Sequence, residues 1–204
     1  MSPGSPNTPA AISAFELPGI GDTDVVPAIP SWNDLSKDIH EVNVSKGFWP
    51  ENVKTRNVGE ALALVHSEIT EAWEAALADD TDDKLTQYPG VAVEVADAII
   101  RTLDLGGAYD TDFDNENGFA DIVIDPYGSI TDDLMMLHRL TSMALEDHRK
   151  KDKKEDGESD FRYRLAAMLY NMVAVMDKYG FDEEIIVEKL NYNRSRPYKH
   201  GKNY

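Results

Sequence analysis

The chain contains no cysteine. That excludes a disulfide framework and a thiolate nucleophile. Positive charge is also scarce. Twenty Lys and Arg stand against 38 Asp and Glu, giving a formal net charge of −18. So acidic a surface repels phosphate backbones and anionic lipid, so neither a nucleic acid nor a membrane is expected as a partner. The same surface concentrates cations. No run of about 18 apolar residues occurs, which argues against a bilayer-spanning helix. The sequence does not open on a basic stretch followed by an apolar one, so no secretory signal is expected and the expected location is cytoplasmic. Its 204 residues suit one domain with appendages, long enough to bury a core without staples.

Residues 1–30 are rich in Pro, Gly and Ser, without sustained periodicity, and read as a disordered or irregular tail. The remainder, 31–204, reads as a single helical domain. Apolar periodicity predicts helices over Trp32 to Lys46 with Ser31 as N-cap, about Asn57 to Ala78, and Gly90 to Leu105 ended by Gly106-Gly107. Further helices are expected over Leu134 to His148 capped by Thr131, Phe161 to Tyr179, and Asp182 to Asn193. FADIVIDPYGS, 119–129, leaves room for a short strand and a turn. KKDKKEDGESD, 150–160, reads as a solvated loop. Helices joined by loops give an all-α class, a helical bundle.

Two acidic patterns stand out. The helix from Gly90 is apolar nearly all round, which marks it as buried. Its exceptions, Glu94, Asp97, Arg101 and Asp104, fall in one stripe about 80° wide at about 100° per residue. On the preceding helix, Glu68 and Glu71 share a face, and Glu68 lies inside the apolar arc. A short connection allows an antiparallel hairpin, in which Glu68, Glu71, Glu94 and Asp97 converge. Oxygen donors with no Cys and few His favour a hard cation, Mg²⁺ or Mn²⁺. The competing reading is an ordinary solvated acidic face. Near the C-terminus Lys189, Arg194, Arg196, Lys199, His200 and Lys202 form a local positive excess. Beside a metal it suits a polyphosphate; alone, it suits a frayed terminus.

HSEITEAWEA (66–75) followed by GVAVEVADAIIRTLDLGG (90–107) resembles the MazG-type all-α nucleoside triphosphate pyrophosphohydrolases. Their ExxE–spacer–ExxD motif appears as Glu68-Ile-Thr-Glu71, 22 intervening residues, then Glu94-Val-Ala-Asp97. IHEVNVSKGFW (39–49) and EKLNYNRSRPYKHGK (188–202) are similar to segments of small, often phage-encoded, MazG-like proteins. The likeness covers about 35–107 and 180–202.

The resemblance implies Mg²⁺-dependent cleavage between the α- and β-phosphates of a (deoxy)nucleoside triphosphate, nucleotide-pool control in a bacteriophage-infected cell, and a homodimer or homotetramer. Glu68, Glu71, Glu94 and Asp97 become the metal ligands, and Glu68 or Glu71 the residue that orients or deprotonates water. Lys189, Asn193, Arg196 and Lys199 become phosphate ligands, with Lys46 and Asn43 as further candidates. Phe48, Trp49 and His66 are candidates for the base pocket, with a core or interface role as the alternative for His66. Trp73, on the apolar stripe, is expected in the core. A dUTPase-like or alarmone hydrolase at the same site, and a helical interaction protein without catalysis, are the alternative functions.

The stretch 108–180 is longer than such a domain needs. It reads either as an unrelated insertion or as a degenerate second copy of the acidic hairpin. Aligning Leu64-Val65-His66 with Met136-Leu137-His138 puts Leu140 and Met143 at the positions of Glu68 and Glu71. Aligning Leu103-Asp104 with Met176-Asp177 puts Ala167 and Tyr170 at those of Glu94 and Asp97.

Overall fold

The computed structural model describes residues 29, 31–115, 128–151 and 157–198. They form six helices: α1 (Trp32–Ser45), α2 (Val58–Ala78), α3 (Gly90–Ala108), α4 (Ile130–Lys150), α5 (Gly157–Tyr179) and α6 (Glu184–Ser195). A 3₁₀ turn, Val53–Thr55, leads into α2. No strand occurs among the described residues; Thr81 and Pro89 make an isolated bridge. The fold is therefore the all-α bundle expected. The expected strand within 119–129 and most of the 1–30 tail lie outside the described residues. From the tail, Ile29 is described and is buried.

Local chemistry sets the helix ends. The Ser31 side chain accepts from the Asp34 N–H, and that of Asn57 from the Glu60 N–H. The cap of α4 is Ser129, not Thr131. Its hydroxyl oxygen accepts from the Asp132 N–H while the Asp132 carboxylate accepts from the Ser129 N–H, a reciprocal box that starts the helix four residues before Leu134. Likewise α5 begins at Gly157, so part of the expected charged loop is helical.

Gly106 and Gly107 do not end α3, which continues to Ala108. They serve close packing instead. A Cβ on Gly106 would lie 2.2 Å from the Phe113 ring, and one on Gly107 would lie 2.7 Å from both the Ser36 carbonyl and the His40 Cβ. The Ser36 hydroxyl donates to the Leu103 carbonyl (2.7 Å), so α1 crosses α3 at hydrogen-bond range.

The core is built of two hairpins, α2–α3 and α4–α5, with α2 against α4 and α3 against α5, while α1 and α6 flank α3. Contacts between α2 and α4 run antiparallel. His66 meets His138, and a side chain on Gly59 would touch Leu145. His66 and His138, which the sequence alignment pairs, are in contact. At the aligned positions of the second hairpin, Leu140 and Ala167 are buried. Tyr170 donates its hydroxyl to the Phe113 carbonyl (2.6 Å), tying down the segment after α3.

Candidate metal centre and adjoining cleft

Glu68, Glu94 and Asp97 each offer a carboxylate oxygen within 4.8 Å of the others. Glu68 comes from the middle of α2 and is only 5% exposed. Glu94 and Asp97 are one turn apart on α3 and therefore share a face. Burial raises the pKa of all three. Glu94 is pushed up to about 8, by burial first and then by the charge of Asp97. For Glu68, burial and Asp97 outweigh the opposing pull of Arg101. For Asp97, burial outweighs Lys189. The structure thus crowds three anions at one point.

Two cations offset part of that charge. The Arg101 guanidinium pairs with Glu68. The buried Lys189 ammonium sits 3.0 Å from Asp97 Oδ2 and 4.0 Å from Asp82. Burial pulls the Lys189 pKa down, but Asp97 and the neighbouring acids raise it on balance. Asn193 donates to the other Asp97 oxygen (3.3 Å). The three carboxyl groups that meet offer oxygen donors only. That set fits a hard divalent cation.

Glu71 does not join this cluster. It is exposed and accepts from the Ser67 hydroxyl (3.1 Å), one turn closer to the end of α2. The four expected ligands thus resolve into three that meet and one that stands beside them facing solvent.

A cleft of ≈ 230 Å³ adjoins the cluster. Asp97, Ile100, Arg101 and Asp104 form its α3 wall, and Asn193, Arg194 and Arg196 its α6 wall. The end of α1 and the following turn contribute Asn43, Lys46, Gly47 and Phe48, and Arg56, Glu60 and Leu64 close it on the α2 side. Arg194 pairs with Asp38. Arg196 lies 5.9 Å from the Tyr192 ring and Arg56 lies 4.4 Å above the Trp49 ring, and neither makes an ion pair among the described residues.

Several expected roles change. Lys46 lines the cleft, but its ammonium donates to the carbonyls of Asn193 (3.0 Å), Arg194 (2.7 Å) and Arg196 and so caps α6, leaving it engaged rather than free for a phosphate. Lys189 is engaged by Asp97. Arg196 and Asn193 line the cleft, and Lys199 lies outside the described residues. Phe48 lines the cleft, but Trp49 does not. Trp49 is buried, donates its indole N–H to Asp104, and has its face covered by Arg56 and its neighbourhood filled by His40.

His66 is not a base ligand here. It faces α4, with its Nδ1 2.7 Å from that of His138 and the rings 19° from parallel. Trp73 is 38% exposed rather than in the core. Asp104 and Arg56 contribute to the cleft without belonging to the acidic motif. Asp104 belonged to the α3 stripe and so carried a signal. Arg56 sits in the link between the 3₁₀ turn and α2, where no periodicity marks it.

No described helix is long and apolar enough to cross a membrane. Comparison of the chain with family models, curated proteins and solved structures gives no match.

Proposed function

We propose that the protein is a divalent-metal-dependent nucleoside triphosphate pyrophosphohydrolase, cleaving the α–β phosphoanhydride to a monophosphate and pyrophosphate. The observation that carries this reading is the convergence of Glu68, Glu94 and Asp97, the last of which lines a cleft also walled by Arg56, Arg101, Arg194 and Arg196. Carboxylates alone would repel a triphosphate. Carboxylates beside guanidinium groups suit a metal–polyphosphate complex, because anionic oxygens are shared between the two. The MazG-like spacing of the acids supports the same chemistry.

In this reading Glu68, Glu94 and Asp97 hold Mg²⁺, with Mn²⁺ as a substitute. The ion supplies Lewis-acid polarisation of a phosphoryl oxygen and a lowered pKa for bound water. Glu71, outside the cluster and facing solvent, holds the attacking water by accepting its proton as a hydrogen bond. Asn193 and Lys189 keep the Asp97 carboxylate oriented. Arg196 and Arg101 offset charge on the leaving pyrophosphate.

Incubation with a panel of deoxynucleoside triphosphates and Mg²⁺ should release pyrophosphate rather than orthophosphate. Asp97→Asn and Glu94→Gln should each cut that rate about 100-fold or more while the fold persists by circular dichroism. Orthophosphate as the product, or unchanged rates in both variants, would sink the proposal.

A further inference from the structure

The cleft has two chemically different ends. On α3 its lining runs from Asp97 to Asp104, seven residues and about 10 Å along the helix. With the phosphates beside Asp97, that length carries sugar and base toward Asp104. The inference therefore rests on the hydrolase reading. We propose that Asp104 selects the base, accepting a hydrogen bond from the exocyclic amino group of cytosine or adenine and disfavouring oxo-bearing analogues.

Asp104 is buried, 8% exposed, yet lines the cleft. Its carboxylate is held by two hydrogen-bonding partners, and the Arg56 guanidinium lies within electrostatic reach. The Trp49 indole N–H is shared between Oδ1 (2.9 Å) and Oδ2 (3.0 Å), and His40 Nδ1 lies 3.0 Å from Oδ1. With the carboxylate ionised, His40 carries its proton on Nδ1. Oδ1 thus accepts twice, while Oδ2 has only a share of one hydrogen. A carboxylate offers about four acceptor positions, so Oδ2 keeps capacity for a ligand N–H.

An amino group fills that capacity. A ring carbonyl would set lone pair against lone pair at a desolvated anion, an arrangement that enzymes use to reject analogues strongly. Trp49 and His40 act through Asp104 as positioning residues. This gives Trp49, expected to touch the base, an indirect part in reading it. Asn43 and Phe48, on the same cleft, supply a polar edge and an apolar face nearby.

The test uses the unmodified protein with Mg²⁺ and two substrate pairs differing at the discriminating position: dCTP against dUTP, and dATP against dITP. Pyrophosphate release should favour dCTP and dATP by about tenfold or more in kcat/KM. In Asp104→Asn the amide oxygen can keep the Trp49 and His40 bonds and turn its NH₂ toward the ligand. The dCTP/dUTP ratio should then fall to about one or below. Parity between partners in the unmodified protein overturns the inference and leaves the hydrolase standing. An unaltered ratio in Asp104→Asn, with both rates lowered equally, assigns Asp104 a structural role only and also overturns it. Pyrophosphate from none of the four removes the hydrolase reading and this inference together.

Discussion

The α2–α3 and α4–α5 hairpins are built and packed alike, each a pair of long helices contributing to one core, yet they treat the aligned positions in opposite ways. The first places Glu68, Glu94 and Asp97 together at low exposure. The second has Leu140 and Ala167 buried, and Tyr170 with its hydroxyl on a backbone carbonyl. The fold therefore does not need the carboxylates. Packing at these positions is satisfied by apolar side chains, and buried like charges oppose folding unless something neutralises them. Their presence in one hairpin and absence from the other is what the proposed metal site accounts for.

The comparison breaks most sharply if an acid is put into the apolar hairpin. Leu140→Glu should destabilise the protein by about 3 kcal/mol, measured by denaturant unfolding, because it puts a carboxylate at a buried position. A negligible change would mean that the second hairpin tolerates the same chemistry and that the acids of the first carry no special meaning.

Next in size is metal removal. With Mg²⁺ at about 100 times its dissociation constant, thermal stability should rise by about 2.7 kcal/mol over an EDTA control. The rise should vanish in Asp97→Asn and persist in Tyr170→Phe, its counterpart in the second hairpin. Equal protection of both variants would place the ion elsewhere.

The smallest effect lies where the hairpins meet. Burial holds the imidazoles of His66 and His138 below their usual range, and His138 lowers His66 further. As pH falls the unfolded chain therefore takes up protons first. Stability from this pair is complete above about pH 6.5 and is lost as pH falls through the folded-state values. The first hairpin acts in the other direction. Glu94, held up to about 8, favours the folded state at low pH and weakens it as pH rises toward that value. The readout is thus the difference in Tm between His138→Phe and the unmodified protein from pH 7.5 to 5. The unmodified protein should lose ground progressively in that difference; parallel curves would show that the pair does not titrate.

Much of this could be read from local pattern. Helical periodicity located all six helices, and the single polar stripe on an otherwise apolar α3 located two of the three clustered carboxylates and Asp104. The same pattern misjudged what depends on neighbours. Gly106-Gly107 looked like a stop because glycine is the common terminator; the close approach of Phe113 and His40 is a tertiary fact. Trp73 lies on the apolar stripe of α2, but no other helix covers it fully. Lys46 carries the charge a phosphate wants, while its partners are carbonyls about 150 residues away in sequence. Arg56 sits in irregular chain, where no period exists to flag it.

The bond from Lys46 to the end of α6 has a consequence for synthesis. Asn43 and Phe48 at the cleft come from the end of the first helix and the turn after it, and Asn193, Arg194 and Arg196 from the end of the last helix described and its C-cap. The cleft is therefore closed by chain from near both ends of the described sequence, and its α6 wall is absent until synthesis has passed Arg196 and that segment has docked on the Lys46 ammonium.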